Sequence, residues 1–345
     1  MRMTAPEATI LPMEAKSVAA LPEGPGWQYE PKWDGFRCLV FKQRDEVALM
    51  SKSGKPLGRY FPEMVAAVAA LPIANLVLDG ELFIADGARL SFGALQMRLH
   101  PAESRIRKLA AETPARLMAF DMLTAPDGSL IADRLLAERR AALEAFHAQA
   151  RAPWLRLSPM TERLQTAQAW LNRAGGALDG VIAKRRDEHY RAGERAMLKV
   201  KRLRTADCVV GGFRYATGKR EVASLLLGLY DDAGLLHHVG HTSGLSAIDK
   251  RAVTAELEAL VEAPGFTGDA PGGPSRWQTD RSTEWQPLRP ELVAEVRYDH
   301  VTDGRFRHGT GFLRWRPDKA PAQCTTDQLV EEARPAVVAK ALGKA

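Results

Sequence analysis

Cysteine is scarce in this chain. There are three in 345 residues, Cys38, Cys208 and Cys324, far apart and odd in number. That argues against a disulfide framework or a Cys-x-x-Cys metal site, and fits reduced thiols in the cytoplasm. Long apolar runs are absent too, and none approaches the roughly 18 residues of a membrane helix. The N-terminus carries Glu7, Glu14 and several prolines, with no apolar core behind a basic stretch. Membrane spanning and secretion are both disfavoured. Internal repeats are missing as well.

What is present is ordinary for a globular protein: 46% hydrophobic and 26% charged residues. The length exceeds a single ordinary core and suggests two domains. A formal charge of +6 makes a polyanionic partner plausible, although the surplus is modest for this length.

Residues 1–26 read as a loosely ordered lead-in rich in Ala and Pro. Strand-like runs follow at 36–42, 46–51, 75–84, 116–123, 179–185 and 196–201. Helical patterns occupy 62–71, 91–110, 133–150 and 161–174, with Asp133 and Thr161 as N-caps. This mixture predicts an α+β domain over 1–204. Over 205–345 the pattern changes to strands at 208–214, 223–230, 235–241, 291–298 and 310–316, with a helix at 246–262 after the third. That order is expected of an OB-fold β-barrel domain, a common nucleic-acid-binding module. The Pro- and Gly-dense stretch 263–290 reads as a surface loop, and the tail after Asp327 as a peripheral helix.

Strand alternation indicates which charged side chains share a face. Lys199 and Lys201 fall opposite Leu198 and Val200; two ammonium groups at that spacing suit a phosphate. Asp79 and Glu81 share a face, as do Arg314 and Arg316. Asp179 and Lys184 fall on opposite faces of a regular strand, so either a bulge intervenes or only one reaches a common site. Taken singly, each pair is most simply a solvated strand face.

Taken together they carry a resemblance. Lys32-Trp33-Asp34-Gly35-Phe36-Arg37 resembles the first motif of the covalent nucleotidyltransferases, which include DNA ligases, RNA ligases and mRNA-capping guanylyltransferases. Ser51-Lys52-Ser53-Gly54 resembles the next, with lysine in the usual place of arginine, and Asp79-Gly80-Glu81 the third. Phe120-Asp121-Met122-Leu123 follows the ligase branch. Asp179-Gly180-Val181-Ile182-Ala183-Lys184 is similar to the fourth, with aspartate for glutamate. Leu198-Lys199-Val200-Lys201 resembles the fifth and Arg316-Pro317-Asp318-Lys319 the sixth. The runs 295–300 and 312–319 resemble bacterial ATP-dependent DNA ligases of the LigC type and the ligase domain of LigD.

The resemblance implies an adenylyltransferase domain of ATP-grasp-like antiparallel sheets with helices, then the OB-fold domain. It implies a DNA ligase that uses ATP and Mg²⁺ (or Mn²⁺) to seal nicked duplex DNA. Lys32 is the expected nucleophile toward the α-phosphate of ATP. A lysine amine attacks only when neutral, so nearby cations are expected to favour that form. Glu30 is expected to receive the adenine amino group and Phe120 to stack on the purine. Arg37 and Glu81 are expected at the ribose, with Lys184, Lys199 and Lys201 also in the ATP site, and Lys52 holding a phosphate as a point charge. Arg314, Arg316 and Lys319 are expected on the β,γ-phosphates, and Glu81 and Asp179 at the metal. Arg214, Lys219 and Arg220, in a Gly-containing hairpin, are candidate DNA contacts, although an exposed basic turn explains them equally. Implied partners and setting are nicked DNA, with repair proteins as further candidates, and a monomer in the cytoplasm near the nucleoid. The rival within the family is an RNA ligase or a capping guanylyltransferase.

Two features are weighed down. His237, His238 and His241 lack ligands at metal spacing and sit in a strand pattern. Trp277 and Trp285 are expected to anchor their loop rather than stack on bases.

Overall fold

Two larger β-sheets, of four and five strands among the described residues, lie in the first part of the chain. A computed structural model describes residues 10–86, 89–172, 178–245, 249–272, 284–302 and 304–329. The described residues divide into two compact units, one up to Arg202 and the other from Leu203.

In the first unit one sheet runs in the order Ala15–Ser17, Met197–Lys201, Leu178–Arg185, Trp27–Trp33. The other runs Glu46–Ser51, Phe36–Gln43, Asn75–Phe83, Arg116–Thr124, Leu155–Leu157. Met13, Leu39, Phe41, Val77, Leu123, Tyr190 and Met197 form a core cluster shared by both sheets. Leu143 and Phe146 of the Leu136–Ala150 helix pack with Leu117 and Leu155 of the second sheet. Ala167 of the Leu164–Asn172 helix packs with Tyr29, Val181 and Val200 of the first. Each sheet therefore has one face toward the shared cluster and one toward a helix, the layering that buries both apolar faces.

Several boundaries differ from the sequence expectation. Residues 91–110 form two helices, Phe92–Arg98 and Glu103–Glu112, because Pro101 has no N–H to continue the ladder. Asp133 is no cap: the helix starts at Leu136, where Glu138 accepts the N–H of Leu135 at 3.1 Å. Thr161 pairs with Tyr29 in an isolated bridge instead of capping a helix. The lead-in contributes the Ala15–Ser17 strand, parallel to Met197–Lys201. A pairing partner some 180 residues away leaves no local signature.

The second unit is a barrel of the OB type. Its strands follow the order Leu236–Thr242, Val222–Tyr230, Arg204–Tyr215, Val293–Tyr298, Gly311–Trp315. The path closes where Thr242 Oγ1 donates to Thr310 O at 2.8 Å across a parallel bridge. The Lys250–Ala259 helix lies between the third and fourth strands, capped by Asp249. From the long loop, Gln286–Pro287 pairs back onto Gly212 and Phe213, and Trp285 meets Phe266 edge-on at 5.5 Å. Trp277, and the tail beyond Leu329, lie outside the described residues.

Candidate active site

Lys32 sits near the end of the Trp27–Trp33 strand, where alternation places Glu30 and Lys32 on one face. They line a pocket of about 250 Å³, together with Arg37, Lys52, Glu81, Phe120, Lys184 and Lys199. Its apolar wall includes Met13, Ile182 and Met197. Ile182 and Met197 were legible by parity, since they alternate in phase with Lys184 and Lys199. Met13 and Glu14, on the lead-in, were not.

A β-bulge resolves the phase conflict between Asp179 and Lys184. The antiparallel register shifts by one residue between Leu178–Trp33 and Gly180–Lys32. Asp179 thereby reaches Lys32 Nζ at 2.6 Å and Lys201 Nζ at 3.7 Å. Lys184, five residues on, still turns inward to Glu30 at 2.9 Å. The bulge requires Gly180, whose φ is +151° and whose added Cβ would lie 2.0 Å from the Val200 carbonyl oxygen.

A second network fixes Arg37. Its Nε and Nη2 donate to Asp79 Oδ1 and Oδ2 at 2.5 and 2.6 Å, a bidentate pair with a fully buried carboxylate. Tyr190 OH donates to the same Oδ2 at 2.6 Å and accepts the Met13 N–H at 2.8 Å. Burial opposes the Arg37 charge, but Asp79 more than offsets it and holds the guanidinium above its ordinary value. Asp79, expected on the same face as Glu81, thus positions Arg37. Asp121 of the Phe120 motif is likewise a strut, paired with buried Arg139 at 2.8 Å.

Electrostatics separate the pocket into two ends. Around Phe120, Arg37 and Lys184 lie over the ring at 4.6 and 4.7 Å from its centroid. At the other end Lys52, which is exposed, pairs with Glu14 at 3.1 Å. Partial burial, then Lys32, Lys201 and Lys52, push the Lys199 amine below its ordinary value. Burial pushes the Glu81 carboxyl up to about 7, against the pull of Lys32 and Arg37. The Lys32 amine is itself paired with the Asp179 carboxylate at 2.6 Å.

In the barrel unit, Asp207, Glu295 and Arg314 stand in register across three neighbouring strands. Glu295 accepts Arg314 Nε at 2.7 Å, and Asp207 accepts Arg316 Nη1 at 2.8 Å with Lys319 Nζ at 3.6 Å. Arg220 is bound to Glu258 at 2.7 Å, whereas Lys219 is exposed in the turn and Arg214 half-buried on its strand. The hairpin basics are therefore not one cluster. His237 bridges Asp231 and Asp269, and His238 Nδ1 meets Arg305 Nη2 at 2.7 Å.

A lysine amine in a pocket of paired cations, with an OB barrel later in the chain, fits the arrangement of a covalent nucleotidyltransferase. Comparison narrows the class: residues 12–201 match the ATP dependent DNA ligase domain, and residues 218–319 the ATP dependent DNA ligase C terminal region. DNA ligase C2 of Mycolicibacterium smegmatis is 46% identical over 336 residues, covering 93% of this chain and 94% of that protein. DNA ligase C of Mycobacterium tuberculosis is 43% identical over 337 residues, covering 93% of each. A solved Lig E DNA ligase, 16% identical with a TM-score of 0.55, covers 89% of this chain and 100% of that one and shares the fold. The chain belongs to the ATP-dependent DNA ligases.

Proposed function

We propose that Lys32 is the residue this ligase adenylylates, and that the pocket around it holds ATP. The amine attacks the α-phosphorus; a P–N bond forms, the bond to the bridging oxygen breaks, and pyrophosphate leaves. The observation that carries this reading is the convergence of Lys32, Arg37, Lys184 and Lys199 on one pocket. Preorganised cations around a single amine suit phosphoryl transfer, where charge builds on oxygens in the transition state. Glu30 and Phe120 are assigned to the adenine, Arg37 and Glu81 to the ribose, and Lys52, Lys199 and Lys201 to the phosphates. Arg314, Arg316 and Lys319 are assigned to the β,γ-phosphates, in exchange for the carboxylates Asp207 and Glu295.

The carboxylates Asp179 and Glu81 are hard oxygen donors of the type that suits Mg²⁺ or Mn²⁺. Such an ion supplies positive charge for the phosphoryl oxygens and for stabilising a neutral amine. Asp179, which pairs with Lys32 at 2.6 Å, would hold such an ion together with Glu81. In the later steps AMP passes to the 5′-phosphate of nicked duplex DNA and is displaced by the 3′-hydroxyl, with the same residues reused. Lys219, with Arg214 and Arg220, is assigned to the DNA backbone. The domains are drawn as a nucleotidyltransferase over 1–204 and an OB-fold over 205–345; among the described residues the compact units meet at Arg202 and Leu203. We assign a role in DNA repair, as a monomer working near the nucleoid with other repair proteins. Three buried free cysteines fit a reducing compartment.

The test is incubation with α-labelled ATP. Label is expected on the wild-type chain and absent from Lys32→Ala; label persisting in that variant sinks the assignment of the nucleophile.

A further inference from the structure

Gln28 is fully buried on the Trp27–Trp33 strand, two residues from Glu30 and on the same face. Its Nε2 donates to Glu30 Oε1 at 2.8 Å, and Lys184 Nζ approaches the same oxygen at 2.9 Å. The amide's own oxygen is buried and has no hydrogen-bond partner. An orphaned buried carbonyl is unfavourable. Turning the amide over would be worse, because two oxygens would then face each other across the Glu30 contact. Donation to Glu30 therefore dictates how Gln28 lies. Among the described residues nothing donates to the second oxygen, Glu30 Oε2, and Glu30 lines the pocket.

We infer that Gln28 is a positioning residue that sets the nucleobase specificity of the pocket, by fixing how the Glu30 carboxylate is turned. With Oε1 engaged by an amide donor and an ammonium, Oε2 is the oxygen that offers the ligand its lone pairs. A 6-amino purine brings an N–H donor to that oxygen. A 6-oxo purine brings an oxygen, and the two sets of lone pairs repel. Without the Gln28 donor, Glu30 is held from Lys184 alone. It is then free to turn, and Oε2 is no longer held toward a 6-amino group. The inference rests on the proposed reading of the pocket as a nucleotide site with Glu30 at the base.

The test compares self-labelling by α-labelled ATP and α-labelled inosine triphosphate, which differs at the 6-position without adding a 2-amino group. In the full-length wild type, ATP is expected to be preferred. In Gln28→Met, near in shape but without a donor, that preference is expected to fall about tenfold, mainly through a higher KM for ATP. A role in stability alone lowers labelling by both nucleotides equally, so an unchanged preference overturns the inference, as does a wild type that accepts both alike. Should Gln28→Met not yield folded protein, Gln28→Leu is of similar volume and likewise has no donor; a wild-type preference there also overturns it. A wild type labelled by neither nucleotide refutes the nucleotide reading itself, so the two failures are distinguishable.

Discussion

Gly180 shows how much chemistry one residue without a side chain carries. Its φ and the 2.0 Å approach of the Val200 carbonyl leave no room for a Cβ. Gly180→Ala is expected to flatten the bulge, withdraw Asp179 from Lys32, and cost roughly 2 kcal/mol or more of stability. Adenylylation should fall by about 100-fold as the site loses its geometry. Urea midpoints and labelling rates check both, and wild-type rates in the variant would show that the bulge is dispensable. His238 gives a prediction in pH. Burial, then Arg305 and Arg214, lower its pKa from 6.5 to about 3. The unfolded imidazole takes up a proton below about pH 6.5 while the folded one does not. Stability is thus full above that pH and lost as pH falls, on the order of 2 kcal/mol by about pH 5. Urea titrations at several pH values should show a flatter acid limb for His238→Met; parallel curves would exclude His238 as the cause.

Among elements, the lead-in segment matters most. Met13 is tied by its N–H to Tyr190 OH and by its carbonyl to Arg37 Nη2, at 2.8 and 3.1 Å. Arg191 N–H also donates to its sulfur at 3.4 Å. Tyr190→Phe removes one hydroxyl that bridges this segment to Asp79. The expected cost is about 1–2 kcal/mol of stability with a raised KM for ATP, read by thermal melting and labelling kinetics. Unchanged KM in the variant would mean that Arg37 keeps its place without the hydroxyl. This network was only half legible. Asp79 and Arg37 lie in recognisable motifs, but Tyr190 and Met13 belong to none, because their roles depend on contacts between distant segments. Similarly, the helix break at Pro101 follows from local chemistry, whereas the bridge that occupies Thr161 depends on Tyr29, more than a hundred residues earlier.

At the scale of the whole molecule the net charge of +6 bears on DNA binding. Phosphate neutralisation makes affinity fall linearly with salt on logarithmic axes, with a slope of about 0.9 per contact. Lys219→Ala is expected to reduce that slope by about 0.9. Glu258→Gln should steepen it, because Arg220 loses its partner and becomes available. Fluorescence anisotropy with nicked duplex DNA over a salt series measures both, and slopes identical to wild type would remove this hairpin from the DNA contact surface.

The motifs along the chain were enough to identify the chemistry by their resemblance to a known family and to name most of the polar residues that line the pocket; alternation by itself indicated Glu81 and Lys199. Those inferences need only a residue's identity and the phase of its own strand. Three features were decided by tertiary structure: the bulge that brings Asp179 to Lys32, which the sequence left as one of two alternatives, the amide of Gln28 behind Glu30, and the lead-in strand beside Met197–Lys201. Each is set by close packing between chain segments far apart in sequence, where steric fit and hydrogen-bond geometry act, and no local pattern records them.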